Sequence, residues 1–411
     1  MRRPPGSAFR SAVGAVALWL VVPAPAMSQA APVASVPGDL TTLFEVGGLV
    51  LDTNGDEVPD FVNASLVTGE SPTGAETRAA AEIAARLGFE TMALDLPVAR
   101  GTAAEGVLVV VGRGGLAASG LVSPGVDAAS LDAGEGAVVV READGRRWVL
   151  VVGGDDEGLV AAARMFAGVL PHTRTLSAPL LGDAGDDVRA ALEESGVEVE
   201  DVRLWQARAR AGSDGVNRLI ANVDVAAADL EEAAGVLRAL AAGEEVPTAT
   251  GQEEAAGQEE AAGQDAPTEE EADPAAPGAV PAGQEAAQDA DSDESDDPFA
   301  YPGLGSVEVR LASGPVVRIP GRAAPDAPGP VAGRPGSGGK GSLDLSNLYT
   351  PDGLLGDSDN NEIPDRVDAL LAPGAAAVEA LPDLAARLGL ESTGLVVPLV
   401  EPAAGLDRPA S

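Results

Sequence analysis

The side chains best placed to do chemistry are oxygens on a turn. Asp52, Asn54, Asp56 and Asp60 stand at positions one, three, five and nine of one acidic stretch. Asp357, Asp359, Asn361 and Asp365 repeat that spacing 305 positions later. Calcium takes several hard oxygen ligands from a chain that turns tightly, and alternating carboxylates supply them. The carbonyl oxygens of Val58 and Ile363 would add a fifth ligand, and Asp368 stands at position twelve of the second stretch. The alternative is an Asx-turn loop, whose side-chain oxygens bond their own backbone. The residue types alone leave both readings open.

The spacing resembles the Asp-rich calcium loops of thrombospondin type 3 repeats and dockerins. That resemblance implies calcium as a cofactor at all eight residues. Two departures stand against it. Asn63 replaces a bidentate acid at position twelve of the first stretch, and Gly55 lies one place before the usual glycine of an EF-hand loop.

Other chemistry is narrowly bounded. The chain has no cysteine, which excludes disulfides, thiolate metal sites and a cysteine nucleophile. Its one histidine, His172, excludes a zinc site built on several imidazoles within these residues. His172 follows Pro171 at a predicted helix end, where an imidazole complements the helix dipole. Gly356-Asp357-Ser358 mimics the nucleophile motif of Gly-Asp-Ser esterases, but it lies inside the acidic repeat without a nearby histidine. Gly336 to Ser342 looks superficially like a phosphate loop, yet Arg334 falls on the motif's first glycine and Gly341 follows Lys340. Asp155-Asp156 is read as a helix cap. Trp148, Trp205 and Phe44 are too scattered for a sugar-stacking platform. No catalytic constellation is visible, so whether the chain is an enzyme is left uncertain.

The elements around the loops recur too. Ala84-Ala85-Arg86-Leu87-Gly88 returns as Ala385-Ala386-Arg387-Leu388-Gly389, and Leu96-Pro97-Val98 as Val397-Pro398-Leu399. The first copy predicts strands over Phe44–Leu51 and Phe61–Val67. A helix follows over Ala75–Leu87, with Ala79, Ile83 and Leu87 on one face, Arg78, Glu82 and Arg86 on another, and Gly88 as C-cap. Strands are expected at Thr91–Pro97 and Gly106–Gly112, the latter covered on both faces because it does not alternate. A hairpin is expected at Gly136–Arg141 and Trp148–Gly153, then a helix over Glu157–Leu170.

At this point the stretch from about residue 74 to 170 resembles the small α/β domain that precedes the catalytic barrel of beta-hexosaminidases and alpha-glucuronidases. The likeness rests on Gly106–Gly112, Gly136–Val140 and the run Val149–Gly158 with its following helix. In those enzymes that domain is not the catalytic one, so the resemblance implies a fold and no active-site residue.

The predicted fold class is α/β (α+β). A small α/β sandwich domain is duplicated, with the second copy incomplete, an α+β middle unit between the copies and a disordered acidic insertion. Residues 1–30 read as a secretory signal: basic Arg2, Arg3 and Arg10, a short apolar core, and small residues around Ala26–Ala30. Residues 40–180 form copy 1. Residues 183–242 plus 300–320 form the middle unit, with helix Val188–Ser195, strands Val199–Ala209 and Arg218–Val225, helix Ala227–Ala241, and a hairpin at Ser306–Leu311 and Pro315–Ile319. Residues 243–299, rich in acid, Gln, Ala and Pro, cannot bury enough apolar surface to offset their ordering entropy. Residues 321–342 are a Pro/Gly linker, and 343–411 are copy 2. That copy stops a dozen residues after its Val-Pro-Leu, which reads as a fragment of a longer protein, the alternative being a remodelled second copy.

The net charge is −39, and −42 without the three leader arginines. Such a chain repels nucleic acid and anionic lipid and attracts divalent cations. The function expected is therefore an exported, secreted or periplasmic, modular binding or scaffold protein of the bacterial cell envelope. It would be calcium-stabilised, without nucleic acid or a membrane span in the mature chain, and its partner would be an unidentified envelope polymer or protein. The alternative is the accessory region of a longer secreted hydrolase, acting on glycans or peptides, whose catalytic module lies outside these residues. A third reading is a subunit of a polysaccharide-export machine.

Overall fold

The computed structural model describes residues 36–91, 98–100, 106–121, 124–143, 145–168, 170, 181–213, 215–244, 246, 303–321, 346–351, 353–358, 360–373, 380–395 and 397–402. The expected leader at 1–30, His172, the Gly-rich run 336–342 and Asp359 lie outside the described residues. So does all of the acidic stretch beyond Val246.

The fold is mixed α/β. Its first half comprises β1 (Val36–Pro37), β2 (Val50–Leu51), β3 (Phe61–Val62), β4 (Ala64–Thr68), α1 (Gly74–Phe89), β5 (Val98–Arg100), β6 (Val107–Val111), α2 (Gly112–Ser119), β7 (Glu135–Ala143), β8 (Arg146–Gly153) and α3 (Asp156–Gly168). Then come α4 (Leu181–Glu194), β9 (Val199–Arg210), β10 (Arg218–Val225), α5 (Leu230–Ala242), β11 (Ser306–Leu311), β12 (Val316–Pro320), β13 (Leu355–Gly356), β14 (Arg366–Val367) and α6 (Leu381–Leu390).

One ten-stranded sheet dominates. Its order is β12-β11-β10-β9-β7-β8-β6-β4-β5, with β1 added antiparallel to β7. Strands β8, β6, β4 and β5 run parallel, and the non-alternating valines of β6 are buried throughout, as their composition required. On one face, α1, α3, α4 and α5 cover a core that includes Leu66, Val109, Val138, Val151, Leu219 and Val309. On the other, Val139, Trp148, Leu150, Val152 and Trp205 form a smaller apolar cluster with Val126 and Leu131.

Four expectations change. Residues 44–51 are not one strand: Val50–Leu51 pairs with Phe61–Val62, Val46 makes an isolated bridge to Val50, and the backbone between them turns. Gly47 (φ +92°) permits that turn, so Leu43, Phe44 and Leu49 all face the core. Gly88 is not a C-cap, since α1 runs through Phe89 to a right-handed cap at Glu90. The strands of 183–242 and 300–320 do not stand apart. Strand β9 pairs with β7, so they continue the same sheet, because two neighbouring edges are better paired than left open. Helix α2 was not foreseen in its glycine-rich sequence. It starts where Gly112 turns left-handed (φ +71°), and Glu76 accepts the Gly114 N–H at 2.7 Å. The same carboxylate completes the capping box of α1 with Thr73.

Candidate functional site

The two acidic loops fold alike, residue for residue. Val50 pairs with Val62 and Leu51 with Phe61; 305 positions on, Leu355 pairs with Val367 and Gly356 with Arg366. Within the first loop, Asp60 accepts the Thr53 N–H at 3.0 Å and its hydroxyl at 2.7 Å. In the second, Asp365 accepts the N–H and hydroxyl of Ser358. Asp52 accepts N–H groups from Asn54, Gly55 and Glu57, and Asp357 those of Asn361 and Glu362. Asp56 caps the Val58 N–H, and Asn361 that of Ile363.

Among the described residues, the non-glycine residues with positive φ are Glu57, Asn360 and Glu362, all in these loops. Asn360 replaces Gly55 at one left-handed position, which asparagine tolerates better than most residues. At Glu57 and Glu362 the backbone strain is offset by the N–H bond to the loop's first aspartate. Desolvation pushes the Asp52 carboxyl up, but the N–H groups of Gly55, Glu57, Asn54 and Asp56 outweigh it and hold it below the ordinary aspartate value.

These side chains therefore build Asx-type turns, the alternative that spacing left open. Among the described residues no three carboxylates or imidazoles converge on a point that could hold a metal ion. Among the described residues of the expected calcium set, Asp52, Asn54, Asp56, Asp60, Asp357, Asn361 and Asp365 all accept hydrogen bonds from their own loop. Ser358, which mimicked an esterase nucleophile, donates its hydroxyl to Asp365 and stands beside a carboxylate rather than a base.

The second constellation was not foreseen. It lies where the two repeats meet. Helix α1 packs on α6, and their common motif packs on itself. A Cβ on Gly88 would overlap the Ala386 backbone, and a Cβ on Gly389 would overlap that of Ala85. Glu82, placed on the polar face of α1 by periodicity, is fully buried. Its carboxylate accepts the N–H groups of Leu399 and Val400 at 3.1 Å, 317 and 318 residues away in sequence. Arg164 of α3 approaches it at 3.7 Å and also pairs with Glu401. Burial pushes the Glu82 carboxyl above the ordinary glutamate value; Arg164 and the two N–H groups pull the other way without reversing it.

Arg86 is likewise buried, not solvated. It donates to Ala167 at 2.7 Å and Leu170 at 2.8 Å, satisfying the end of α3. It pairs with Glu90 at 2.7 Å and lies 4.1 Å over the Phe44 ring. The second repeat has the same arrangement: Arg387 lies 5.3 Å over Tyr349 and pairs with Glu391. One signal pointed here. Arginine inside an otherwise apolar motif recurs in both copies, although a solvated face needs no fixed arginine.

A shallow groove of about 630 Å³ lies beside α2, lined by Arg113, Leu116, Val126 and Asp127 among others. Its charged groups are engaged structurally. Arg113 donates to the Gly154 carbonyl at 2.6 Å, and Asp127 caps Ala129 at 2.9 Å. Asp155, read as a cap, accepts from Gly158 at 2.8 Å and Gly134 at 2.9 Å. No helix among the described residues is long and apolar enough to cross a membrane.

No protein-family model matches this chain, and a comparison with curated proteins finds no match.

Proposed function

We propose that this chain is an exported scaffold and binding protein of the bacterial cell envelope, built from two copies of one module clasped together. The observation that supports it is the reciprocal seating of Gly88 on Ala386 and Gly389 on Ala85. Nearly all the buried charge beside it, Glu82, Arg86 and Glu90, is committed to joining chain segments. Groups satisfied this way hold shape. The leader-like first thirty residues supply the route of export.

The test is fractionation of expressing cells, followed by co-sedimentation of the purified mature chain with isolated cell-envelope material. The scaffold reading expects a processed protein outside the cytoplasm that pellets with the envelope. A chain that stays in the cytoplasm, or remains wholly in the supernatant, ends it.

A further inference from the structure

The sheet carries a second surface that the clasp does not use. On β9 to β12, Ala207, Leu219, Ala221, Val309 and Ile319 point into the main core beneath α4 and α5. Side chains alternate along strands, so their neighbours project from the opposite face. There lie Arg203, Arg208 and Arg210 on β9, Arg218 on β10, Arg310 on β11 and Arg318 on β12, with Asp201, Asn222, Asp224 and Glu308 among them. In a chain of net charge −39 this is a local reversal of sign.

The acids beside it are fewer than its cations: Asp201 holds Arg203 at 2.5 Å and Asp132 holds Arg210 at 3.5 Å. Arg208 stands directly across from Arg218, a like-charge pair that costs stability. Glu308 receives three cations: Arg310 at 2.7 Å, Arg318 at 3.4 Å and Arg218 at 3.9 Å. Glu135 reaches Arg208 at 3.4 Å. Burial, then the guanidiniums of Arg318 and Arg208, hold Arg218 below the ordinary arginine value. A second observation is independent of charge. Gln206, 1% exposed, lies in the cross-strand row with Ile220 and Glu308, and its Nε2 has no hydrogen-bond partner among the described residues. The same is true of Arg208 Nε and of Trp205 Nε1. Buried donors left without acceptors are costly.

Resting on the reading of this chain as an envelope binding protein, we propose that the arginine face of β9–β12 binds a carboxylate-bearing glycan. Arginine forks match carboxylates two N–H groups at a time. In one row across the strands, Arg203, Asn222 and Arg310 are successive partners. The two arginines are thus two strand spacings apart, about 10 Å, with a neutral amide between them. That alternation suits a polymer presenting carboxylates at intervals with hydroxyl groups between. Nucleic acid fits worse. Its phosphates come about every 3.4 Å along a strand. Trp205 is 4% exposed and lies between Arg141 and Arg310, so it offers no free ring for base stacking.

The global charge gives the interaction a signature. At about 0.01 M salt the screening length is roughly 30 Å, and the whole chain repels a polyanion. At about 0.15 M it is roughly 8 Å, and only the face is felt. Affinity should rise between those salt concentrations and fall again toward 1 M.

The experiment is calorimetric titration of the full mature chain with oligogalacturonate, neutral dextran, polyaspartate and single-stranded DNA. Side chains of Arg203 and Arg318 are 43% and 54% exposed, so Arg203→Gln with Arg318→Gln should fold normally, which circular dichroism checks. Oligogalacturonate should bind and dextran should not, with about a tenfold loss in the double variant. Arg78→Gln, on α1, should bind as wild type does. The proposal is overturned by no binding, by binding that the double variant leaves intact, or by equal or tighter binding of polyaspartate or DNA. A chain that pellets with envelope material but ignores oligogalacturonate loses this inference and keeps the scaffold reading.

Discussion

Gly88 of the first repeat sits against the carbonyl of Ala386 in the second, and Gly389 sits against Ala85 in return. Both contacts join equivalent positions of one five-residue motif, 301 residues apart. Glycine is needed here for close approach of two helix backbones, not for a turn.

Gly88→Val therefore forces α1 and α6 apart. Its Cβ would lie 2.8 Å from the Ala386 carbonyl carbon, and backbone cannot rotate away. The expected loss is about 3 kcal/mol of stability in urea denaturation, with an equal effect for Gly389→Val. Gly235→Ala in α5, where a new Cβ meets nothing within 4 Å, should gain about 0.5–1 kcal/mol. Equal outcomes at Gly88 and Gly235 would refute the clasp.

Glu82 makes stability depend on pH in an unusual direction. Its folded pKa is raised above the ordinary 4.5, so its contribution is fully present below that value. That contribution is lost as pH rises through the folded pKa. Glu82→Gln keeps an acceptor for Leu399 and Val400 but cannot ionise. The stability of this variant relative to wild type should climb as pH increases above about 4.5. Glu82→Ala leaves two buried N–H groups unmatched and should cost about 3–5 kcal/mol. A flat difference between Glu82→Gln and wild type from pH 4 to 8 would count against the buried latch.

Arg86 and Glu90 are both almost fully buried, so breaking the pair is worse than removing it. Arg86→Met should destabilise by about 3–5 kcal/mol, and adding Glu90→Gln should recover part of that. Arg86→Lys should also be poorly tolerated, because one ammonium cannot span the carbonyls of Ala167 and Leu170 while stacking on Phe44. Thermal melts of the three variants check the order.

The acidic loops should hold their shape without metal. Asp52→Ala should speed amide exchange at Asn54, Gly55 and Glu57, the N–H groups it caps, in chelator as much as in calcium. If calcium instead raised the wild-type melting temperature by several degrees, and Asp56→Ala abolished that rise, the loops would be metal sites.

Periodicity located most elements. Val107–Val111 read as a doubly covered strand and is one, and Asp155 caps the helix it was expected to cap. Arginine count and position on β9–β12 were also visible, but not that they share a face. Strand pairing and the bulge beside Trp205 decide that.

What residue order alone determined is local: the spacing of oxygens in the two loops, the strand and helix periods, and the recurrence of a motif with glycine at a fixed place. Only tertiary structure decided what those residues face. Periodicity set Glu82 and Arg86 on a different face from Ala79, Ile83 and Leu87, but it does not report whether another segment covers that face. The covering segments arrive from 80 to 318 residues away, and no local pattern encodes that meeting.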